Sequence, residues 1–212
     1  MGVAHLPPLI PVHHEREAGA NADHPMRRVT RQVAFEPDGW TPARKAKVAE
    51  LFDGLAPEWH TRETAGRYDA LLDALDRGGV PIDGPTLELG SGTGLATPLL
   101  AERFPALVAG DLSAEMLRLA PADAAPRVRL DSSGLPVPDG ALRVVLAINM
   151  LLFPGEMARV LAPDGVLVWV NTSGDRTPIH LAADDVVAAM GGGWTGTASE
   201  AGTGTWCVAR RR

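Results

Sequence analysis

The sequence predicts a doubly wound α/β fold with a mainly parallel sheet, and three observations support this prediction. From Pro81 onward, short and almost wholly apolar segments alternate with helical segments. This alternation is expected when helices cover both faces of a parallel sheet. A glycine-rich turn follows the first apolar segment, at the point where such sheets bind ligands. Two strand-like segments joined by a short turn end the sequence, which is typical of an antiparallel hairpin.

Length and composition limit the class of protein. The chain has 212 residues, 45% of them hydrophobic, which suits one α/β domain with an extension. A formal net charge of -6 argues against a general nucleic-acid binder. The one cysteine, Cys207, excludes an intramolecular disulfide and fits a reducing compartment. Prolines interrupt the N-terminus, and no segment approaches the ~20 apolar residues of a membrane span. We therefore expect a cytoplasmic monomer or homodimer that binds neither nucleic acid nor membrane.

Three zones are expected along the chain. Residues 1–40 are predicted to be irregular, because five prolines with glycine and polar residues between them interrupt any periodic pattern. Residues 41–80 are predicted to form a helical cap. Residues 81–212 are predicted to form the sheet-containing core, in which the functional site should lie.

Two helices are predicted in the cap. Thr41 is a suitable N-cap and Pro42 suits the first helical position, so the first helix begins there. Apolar residues at helical spacing continue to about Gly54. A second helix is predicted over about residues 64–77, and the Gly78–Gly79 pair ends it.

The core elements alternate in the order expected of βαβ units. Seven strands are predicted at residues 86–89, 107–110, 128–130, 144–148, 166–170, 194–199 and 205–209. Four helices are predicted at about residues 95–103, 114–119, 155–161 and 181–190. The last two strands form the terminal hairpin, so the sheet should have seven strands and be parallel apart from that hairpin.

The sharpest motif is the glycine-rich turn after the first core strand, which reads Glu88-x-Gly90-x-Gly92-x-Gly94. Glycine lets the backbone turn tightly and lets a ligand approach the main chain closely. A dinucleotide-binding turn would need a third small residue at position 95, where this sequence has Leu95. The spacing therefore favours a different nucleotide-like ligand.

Acidic residues end the next two strands. Asp111 ends the second strand, where a carboxylate can accept hydrogen bonds from both hydroxyls of a ribose. Ser113 can cap the following helix. Asp131 ends the third strand, where it can accept from the exocyclic amine of an adenine.

These motifs together resemble the class I S-adenosylmethionine (SAM)-dependent methyltransferases, which have a Rossmann-like fold. The glycine turn is similar to motif I of that family, and residues 110–117 are similar to its second motif. Residues 135–140 resemble its "LPFPD" segment and residues 159–165 resemble its "RVLKPGG" turn. The resemblance covers about residues 51–210. It is closest to the small-molecule branch, which includes quinone-biosynthesis enzymes.

The resemblance implies a cofactor site at the carboxyl ends of the first four strands. The residues it assigns there are Glu88, Gly90, Ser91, Gly92, Gly94, Asp111, Leu112, Asp131, Ser132 and Asn149. Glu88 and the glycine backbone would hold the methionine part of SAM, and Asp111 would bind the ribose. Leu112 would pack on the adenine, and Asp131 with the serine after it would face the adenine edge. Asn149 would lie near the sulfonium end.

The acceptor side is less well defined by sequence. A general base is useful when the acceptor is a hydroxyl or a protonated amine. His60, in the cap, is the first candidate and His180 the second, because the ordinary pKa of histidine suits this role. Trp40, Trp59 and Tyr68 are candidates for the wall of the acceptor pocket. No arrangement of acidic residues demands a metal ion, so we expect no metal site.

The functional prediction is methyl transfer from SAM to an O, N or C atom of a small-molecule acceptor. Two alternatives stay open at this point. One is a SAM-fold binding or regulatory protein that transfers no methyl group. The other is an NAD-dependent oxidoreductase, against which Leu95 counts.

Overall fold

The computed structural model describes residues 2–13 and 23–212. Its strands are β1 (Val3–His5), β2 (Thr86–Leu89), β3 (Leu107–Asp111), β4 (Arg127–Arg129), β5 (Leu142–Ile148), β6 (Leu161–Asn171), β7 (Trp194–Ala201) and β8 (Gly204–Arg211). Its α-helices are α1 (Pro25–Phe35), α2 (Pro42–Leu55), α3 (Asp69–Arg77), α4 (Thr97–Arg103), α5 (Ala114–Leu119), α6 (Pro154–Val160) and α7 (Ala183–Met190). Two 3₁₀ helices cover Ala56–Arg62 and Gly174–Arg176.

The strands form one sheet in the order β1-β7-β8-β6-β5-β2-β3-β4. The run from β6 to β4 is parallel throughout, and β8 is antiparallel to both β6 and β7. The predicted doubly wound, mainly parallel sheet with a C-terminal antiparallel hairpin is therefore confirmed. Since β2 is in register with both neighbours, with Leu89 opposite Gly110 and Ala147, the carboxyl ends of these strands meet at one edge.

The predicted number of strands was wrong, because the described part of the chain has an eighth strand. Val3–His5 pairs in parallel with β7, and Val3 lies opposite Gly196. The zone over residues 1–40, expected to be irregular, also contains α1, whose N-cap is His24. A three-residue strand has too few residues for a periodic pattern, and it forms here because the edge of β7 offers unpaired backbone groups.

Helices pack on both faces of the sheet. Leu167 and Trp169 of β6 belong to an apolar cluster with α6 and α7. Val166, Val168 and Val170 face the other way and pack with α3 and α4. Because neither face of the central strands meets water, these strands show continuous apolar runs rather than alternation. In the part of the chain that the structure describes, no helix is long and apolar enough to cross a membrane.

The two cap helices match the prediction except at the start of the second one. The helix α2 begins at Pro42 as predicted, and the Thr41 hydroxyl accepts a hydrogen bond from Arg44 N (3.2 Å). The second cap helix is shorter than predicted and begins at Asp69. The residues before it form turns in which Gly66 has a φ of +74°, a backbone conformation that stops a helix from extending there.

Replacement of this N-cap tests how much the start of α2 contributes to stability. We expect Thr41→Ala to lower the free energy of unfolding by about 1 kcal/mol, because one backbone N–H of the first turn loses its acceptor. Thr41→Ser keeps the hydroxyl and should stay close to wild type. Urea denaturation measures both variants. Equal losses in the two variants would show that the hydroxyl does not cap the helix.

The helix α3 is anchored to β8 by a buried polar contact. The Asp73 carboxylate accepts from the indole N–H of Trp206 (2.8 Å) and from the Arg77 guanidinium (2.9 Å). Asp73 is buried, and its contacts with both partners satisfy a carboxylate that would otherwise be costly to bury. This contact holds α3, and with it the preceding turn, beside the edge of the sheet where the site lies.

Candidate active site

One cavity opens at the carboxyl ends of β2, β3 and β5, beneath α2 and the 3₁₀ helix that follows it. Residues of the glycine turn, of the loops after β3, β4 and β5, and of α2 line it. Nine of the ten predicted cofactor-binding residues line it: Glu88, Gly90, Ser91, Gly92, Asp111, Leu112, Asp131, Ser132 and Asn149. The fold therefore brings these residues, which are up to 61 positions apart in sequence, to one cavity.

The glycine turn has the backbone geometry that its sequence predicts. Gly90, Gly92 and Gly94 have φ values of +69°, +58° and +77°. A Cβ atom on Gly90 would lie 2.8 Å from the sulfur of Met150, and one on Gly92 would lie 3.2 Å from the indole nitrogen of Trp59. Conformation and close packing therefore both require glycine at these two positions. Gly94 lies outside the cavity lining and serves the turn itself.

The Ser91 side chain indicates that the site fits a polar ligand. Ser91 lines the cavity, and its hydroxyl oxygen is buried with no hydrogen-bond partner in the described residues. A buried hydroxyl without a partner is unfavourable, and a ligand group placed in the turn would satisfy it. The turn therefore offers a polar ligand both space and an unsatisfied hydrogen-bonding group.

Glu88 lies at the base of the turn and is only 2% exposed. Burial raises the pKa of this carboxyl group to about 7, although the hydrogen bond that it accepts from the Thr97 hydroxyl (2.7 Å) works in the opposite direction. The nearby Asp111 carboxylate adds to the increase. A ligand ammonium group beside Glu88 would favour its ionised form.

Asp111 is oriented by backbone groups on both sides. One carboxylate oxygen accepts from Gly92 N (2.8 Å) and the other from Ser113 N (2.8 Å). Burial raises the pKa of Asp111, while these hydrogen bonds oppose the increase. Each carboxylate oxygen has a second lone pair, so Asp111 can still accept from two adjacent hydroxyl groups.

Asp131 connects the loop after β4 to the cap. Its carboxylate accepts from the Trp40 indole (3.2 Å) and from Ser133 N (2.9 Å), and it pairs with Lys45 of α2 (2.9 Å). Burial opposes ionisation, yet the hydrogen bonds from Ser133, Lys45 and Trp40 together hold the pKa of Asp131 below its usual value. Asp53 of α2 makes a second connection, because it accepts from the Ser113 hydroxyl. The cap is thus bonded to the loops after both β3 and β4.

Asn149 ends β5 in the left-handed region, with a φ of +50° that asparagine tolerates better than most residues. Its side chain donates to the Thr172 hydroxyl (2.9 Å) and accepts from Thr172 N (2.9 Å). The Asn149 side chain therefore links the ends of β5 and β6, and through that link it shapes the cavity edge.

The two histidines predicted as bases are not brought into this cavity. His60 is exposed, and its Nδ1 lies 3.1 Å from the Pro57 carbonyl oxygen. His180 lines a different cavity, and its Nδ1 lies 2.9 Å from the Arg27 guanidinium. Burial and the Arg27 charge both lower the pKa of His180. Among the described residues, no cluster of three or more His, Cys, Asp or Glu is placed to hold a metal ion.

Several lining residues were not predicted from the sequence. Trp40, Trp59 and Tyr68, which were predicted, do line the cavity. Arg67 lines it as well, and its Nε is buried without a hydrogen-bond partner in the described residues. Arg67 was missed because it lies in a turn that carries no motif. The apolar lining residues that the sequence did not assign to the site are Val48, Phe52, Leu95, Ala96, Met116, Ile148, Met150, Leu151, Phe153 and Ile179.

Comparison with protein families supports the same conclusion as the geometry. A family model described as a methyltransferase domain matches residues 87–169, which include the glycine turn, Asp111, Asp131 and Asn149. The matched segment has 83 of the 212 residues. The match supports an enzyme with S-adenosylmethionine as methyl donor, and it favours methyl transfer over the NAD-dependent alternative. Among proteins of curated function, none matches the sequence.

Solved structures show the same fold at low sequence identity. The DhpI complex with S-adenosylhomocysteine (SAH) is 21% identical over 79% of this chain and 96% of that one, with a TM-score of 0.63. A SAM-dependent methyltransferase from Thermotoga maritima is 16% identical over 77% of this chain and 99% of that one, with a TM-score of 0.59. The [4+2]-cyclase SpnF is 21% identical over 68% of this chain and 69% of that one, with a TM-score of 0.53.

Other matches are less extensive. For a chain in the complex of the Haloferax volcanii Trm112 methyltransferase activator, the match spans 59% of that chain and 56% of this one, with 23% identity and a TM-score of 0.48. The predicted resemblance to quinone-biosynthesis enzymes stays a prediction, because the family match does not distinguish among branches.

Proposed function

We propose that this methyltransferase binds SAM in the cavity at the carboxyl ends of β2, β3 and β5 and methylates a small-molecule acceptor. The observation that carries the proposal is the meeting of three features in one cavity. These are the buried, unpartnered Ser91 hydroxyl, the Glu88 carboxyl and the two available lone pairs of Asp111. An amino-acid group beside Ser91 and Glu88 and a ribose beside Asp111 would satisfy all three.

The individual contacts follow from this arrangement. Glu88 would stabilise the ammonium group of the methionine part. Arg67, whose Nε has no hydrogen-bond partner among the described residues, would pair with the carboxylate. Asp111 would hold the ribose, and Leu112 would pack on the adenine. Asp131, with Ser132 beside it, would face the adenine edge. When bound, SAM supplies a methyl group already activated by its sulfonium, so the protein's main task is to position the acceptor and exclude water.

The cap performs the second of these tasks. The Trp59 indole lies directly above Gly92 and makes an edge-to-face contact with Phe52 of α2 (5.8 Å between ring centroids). We infer that residues 41–80 act as a cap on the core of residues 81–212, with the acceptor between them. We also infer a cytoplasmic location, which suits the free Cys207, and a monomer or homodimer.

Calorimetric titration with SAH tests the proposal, and NAD serves as the control ligand. We expect micromolar binding of SAH and none of NAD. A positive result justifies an acceptor screen by co-crystallisation with SAH. If folded protein bound no SAH, the proposed function would be wrong and only the fold would stand.

A second candidate function is a SAM-fold protein that transfers no methyl group. Two observations favour it: the SpnF cyclase has this fold, and His60 and His180 lie outside the cavity. Fold by itself does not determine function, so binding must be separated from turnover. SAH binding without methylation of any acceptor in a broad panel would support this second candidate.

Substitution of Arg67 tests the contact with the methionine carboxylate. We expect Arg67→Gln to weaken SAH binding by about 1 kcal/mol, roughly fivefold, because a half-buried ion pair is partly screened by water. Arg67→Lys keeps the charge and should recover part of the loss. Calorimetry measures both variants. Unchanged SAH affinity with a raised KM for the acceptor would instead place Arg67 on the acceptor side.

A further inference from the structure

One part of the cavity lining is apolar and aromatic. Trp40, Leu151, Phe153 and Ile179 lie together in a hydrophobic cluster, and Leu151 and Phe153 are only 5% and 8% exposed. The Trp40 and Phe153 rings meet edge to face, with 5.3 Å between their centroids. Trp40 immediately precedes the cap, and the other three residues come from the loops after β5 and β6. A charge on the body of an acceptor, away from its reacting atom, would lose hydration here without gaining a partner, whereas a planar ring would pack well.

The titratable side chains in the described lining offer no free base. They are Arg67, Tyr68, Glu88, Asp111 and Asp131. The Asp111 carboxylate already accepts two backbone hydrogen bonds, and Asp131 is held by the Lys45 ammonium and the Trp40 indole. Glu88 lies under the turn that the methionine part would cover. None of these three carboxylates is therefore available to an acceptor packed among Trp40 and Phe153.

Tyr68 is a further titratable group of the lining, and its hydroxyl interacts with the Arg67 guanidinium. Burial raises the pKa of its hydroxyl above the usual value, so the proton stays on Tyr68 at neutral pH. A tyrosine hydroxyl that keeps its proton can donate a hydrogen bond but does not serve as a base for the acceptor. The cavity thus favours an acceptor that arrives already ionised at the reacting atom.

We propose, on the basis of the function above, that the acceptor is an aromatic thiol or phenol that loses its proton to water without an enzyme base. Thiols and phenols ionise near pH ~8.5 and ~10, and electron-withdrawing ring substituents lower these values. The thiolate or phenolate forms a bond to the methyl carbon with its own electron pair. The carbon–sulfonium bond breaks with its electron pair on sulfur, which leaves a neutral methylated product and SAH. The proton has already passed to the solvent.

Matched acceptors test this proposal in the full-length protein with SAM. Thiophenol and 4-nitrophenol represent rings that ionise readily, and benzyl alcohol and 4-nitrobenzyl alcohol are ring-containing controls that do not. We expect kcat/KM for each ionising acceptor to exceed that of its control by at least about tenfold, since no base compensates for poor ionisation. The midpoint of the kcat/KM pH profile should move with the pKa of the acceptor.

Binding gives a second readout that does not depend on turnover. Thioanisole, the methylated form of thiophenol, should bind the SAH complex in a calorimetric titration. Phe153→Ala and the milder Ile179→Val should weaken thioanisole binding several-fold and leave SAH affinity unchanged. Leu119→Ala, which alters an exposed residue of α5, is the control and should behave as wild type.

Different failures have different meanings. A pH midpoint that stays constant across acceptors would reveal an enzyme base and overturn the proposed acceptor class. Equal kcat/KM for the alcohols would overturn it as well, as would the absence of any product from protein that binds SAH. Failure to bind SAH would instead overturn the proposed function.

Discussion

Glu88→Gln is expected to stabilise the protein progressively, relative to wild type, as the pH rises from about 4.5 to about 7. Glu88 is almost completely buried, and burial raises its pKa from 4.5 to about 7. Between these two values the folded state keeps a proton that the unfolded state releases. The wild type therefore loses stability as the pH rises through this window, by about 3 kcal/mol in total. Glutamine cannot ionise, so the variant lacks this loss.

Urea denaturation at several pH values measures the effect. The quantity to compare is the change with pH in the difference between variant and wild type, because the substitution also alters the contact with Thr97. Glu102→Gln, at an exposed position of α4, is the control and should not change the pH dependence. Parallel pH profiles for wild type and Glu88→Gln would mean that Glu88 is ionised in the folded protein well below neutral pH.

The raised pKa of Glu88 also predicts proton release on ligand binding. If the SAH ammonium group lies beside Glu88, its charge should lower the pKa of the carboxyl group, so that binding near neutral pH releases a proton. Calorimetry in two buffers of different ionisation enthalpy detects this release. The Glu88→Gln variant should show none. This result would connect the pKa of Glu88 directly with the cofactor site.

Asp111→Ala is expected to weaken SAH binding by about 1.5–3 kcal/mol, roughly 10- to 150-fold, which is the range for hydrogen bonds to a charged group. The carboxylate is oriented by Gly92 N and Ser113 N, so its two remaining lone pairs can accept from both ribose hydroxyls. Asp111→Asn keeps the shape of the side chain but has only one oxygen acceptor. Its loss of SAH affinity should therefore be smaller than that of Asp111→Ala.

The control for Asp111 is Asp123→Ala, which removes an exposed acid near the end of α5. It should bind SAH like wild type, which would exclude an effect of net charge. Because Asp111 also accepts two backbone hydrogen bonds, the free energy of unfolding is measured for each variant and binding is compared in folded samples. Unchanged SAH affinity in folded Asp111→Ala would contradict the ribose assignment.

The core was predictable because its signals are local. The ends of the strand β2 were predicted as observed, because its limits are marked by a short apolar segment and the glycines directly after it. The N-cap of α2 was predicted from Thr41 and Pro42 for the same reason. The glycine turn could be predicted because positive φ values restrict the choice of residue at Gly90 and Gly92.

Features that depend on distant parts of the chain were not predictable. Val3–His5 becomes a strand only because it meets β7, almost two hundred residues later. Arg67 lines the cavity from the turn before α3, a helix that Asp73 anchors to β8 at the other end of the sequence. The sequence favours His60 as the base, yet the 3₁₀ helix directs Trp59 toward the glycine turn and leaves the histidine exposed.

The sequence by itself determined the order of strands and helices in the core, the glycine turn, and the carboxylates of Asp111 and Asp131 at the ends of β3 and β4. These follow from periodicity and backbone preference, which act over a few residues. Only the tertiary structure decided which side chains share the cavity: Arg67 and the apolar wall lie in it, and His60 and His180 do not. Side chains meet in a cavity through packing between elements far apart in the chain, and no local pattern encodes that packing.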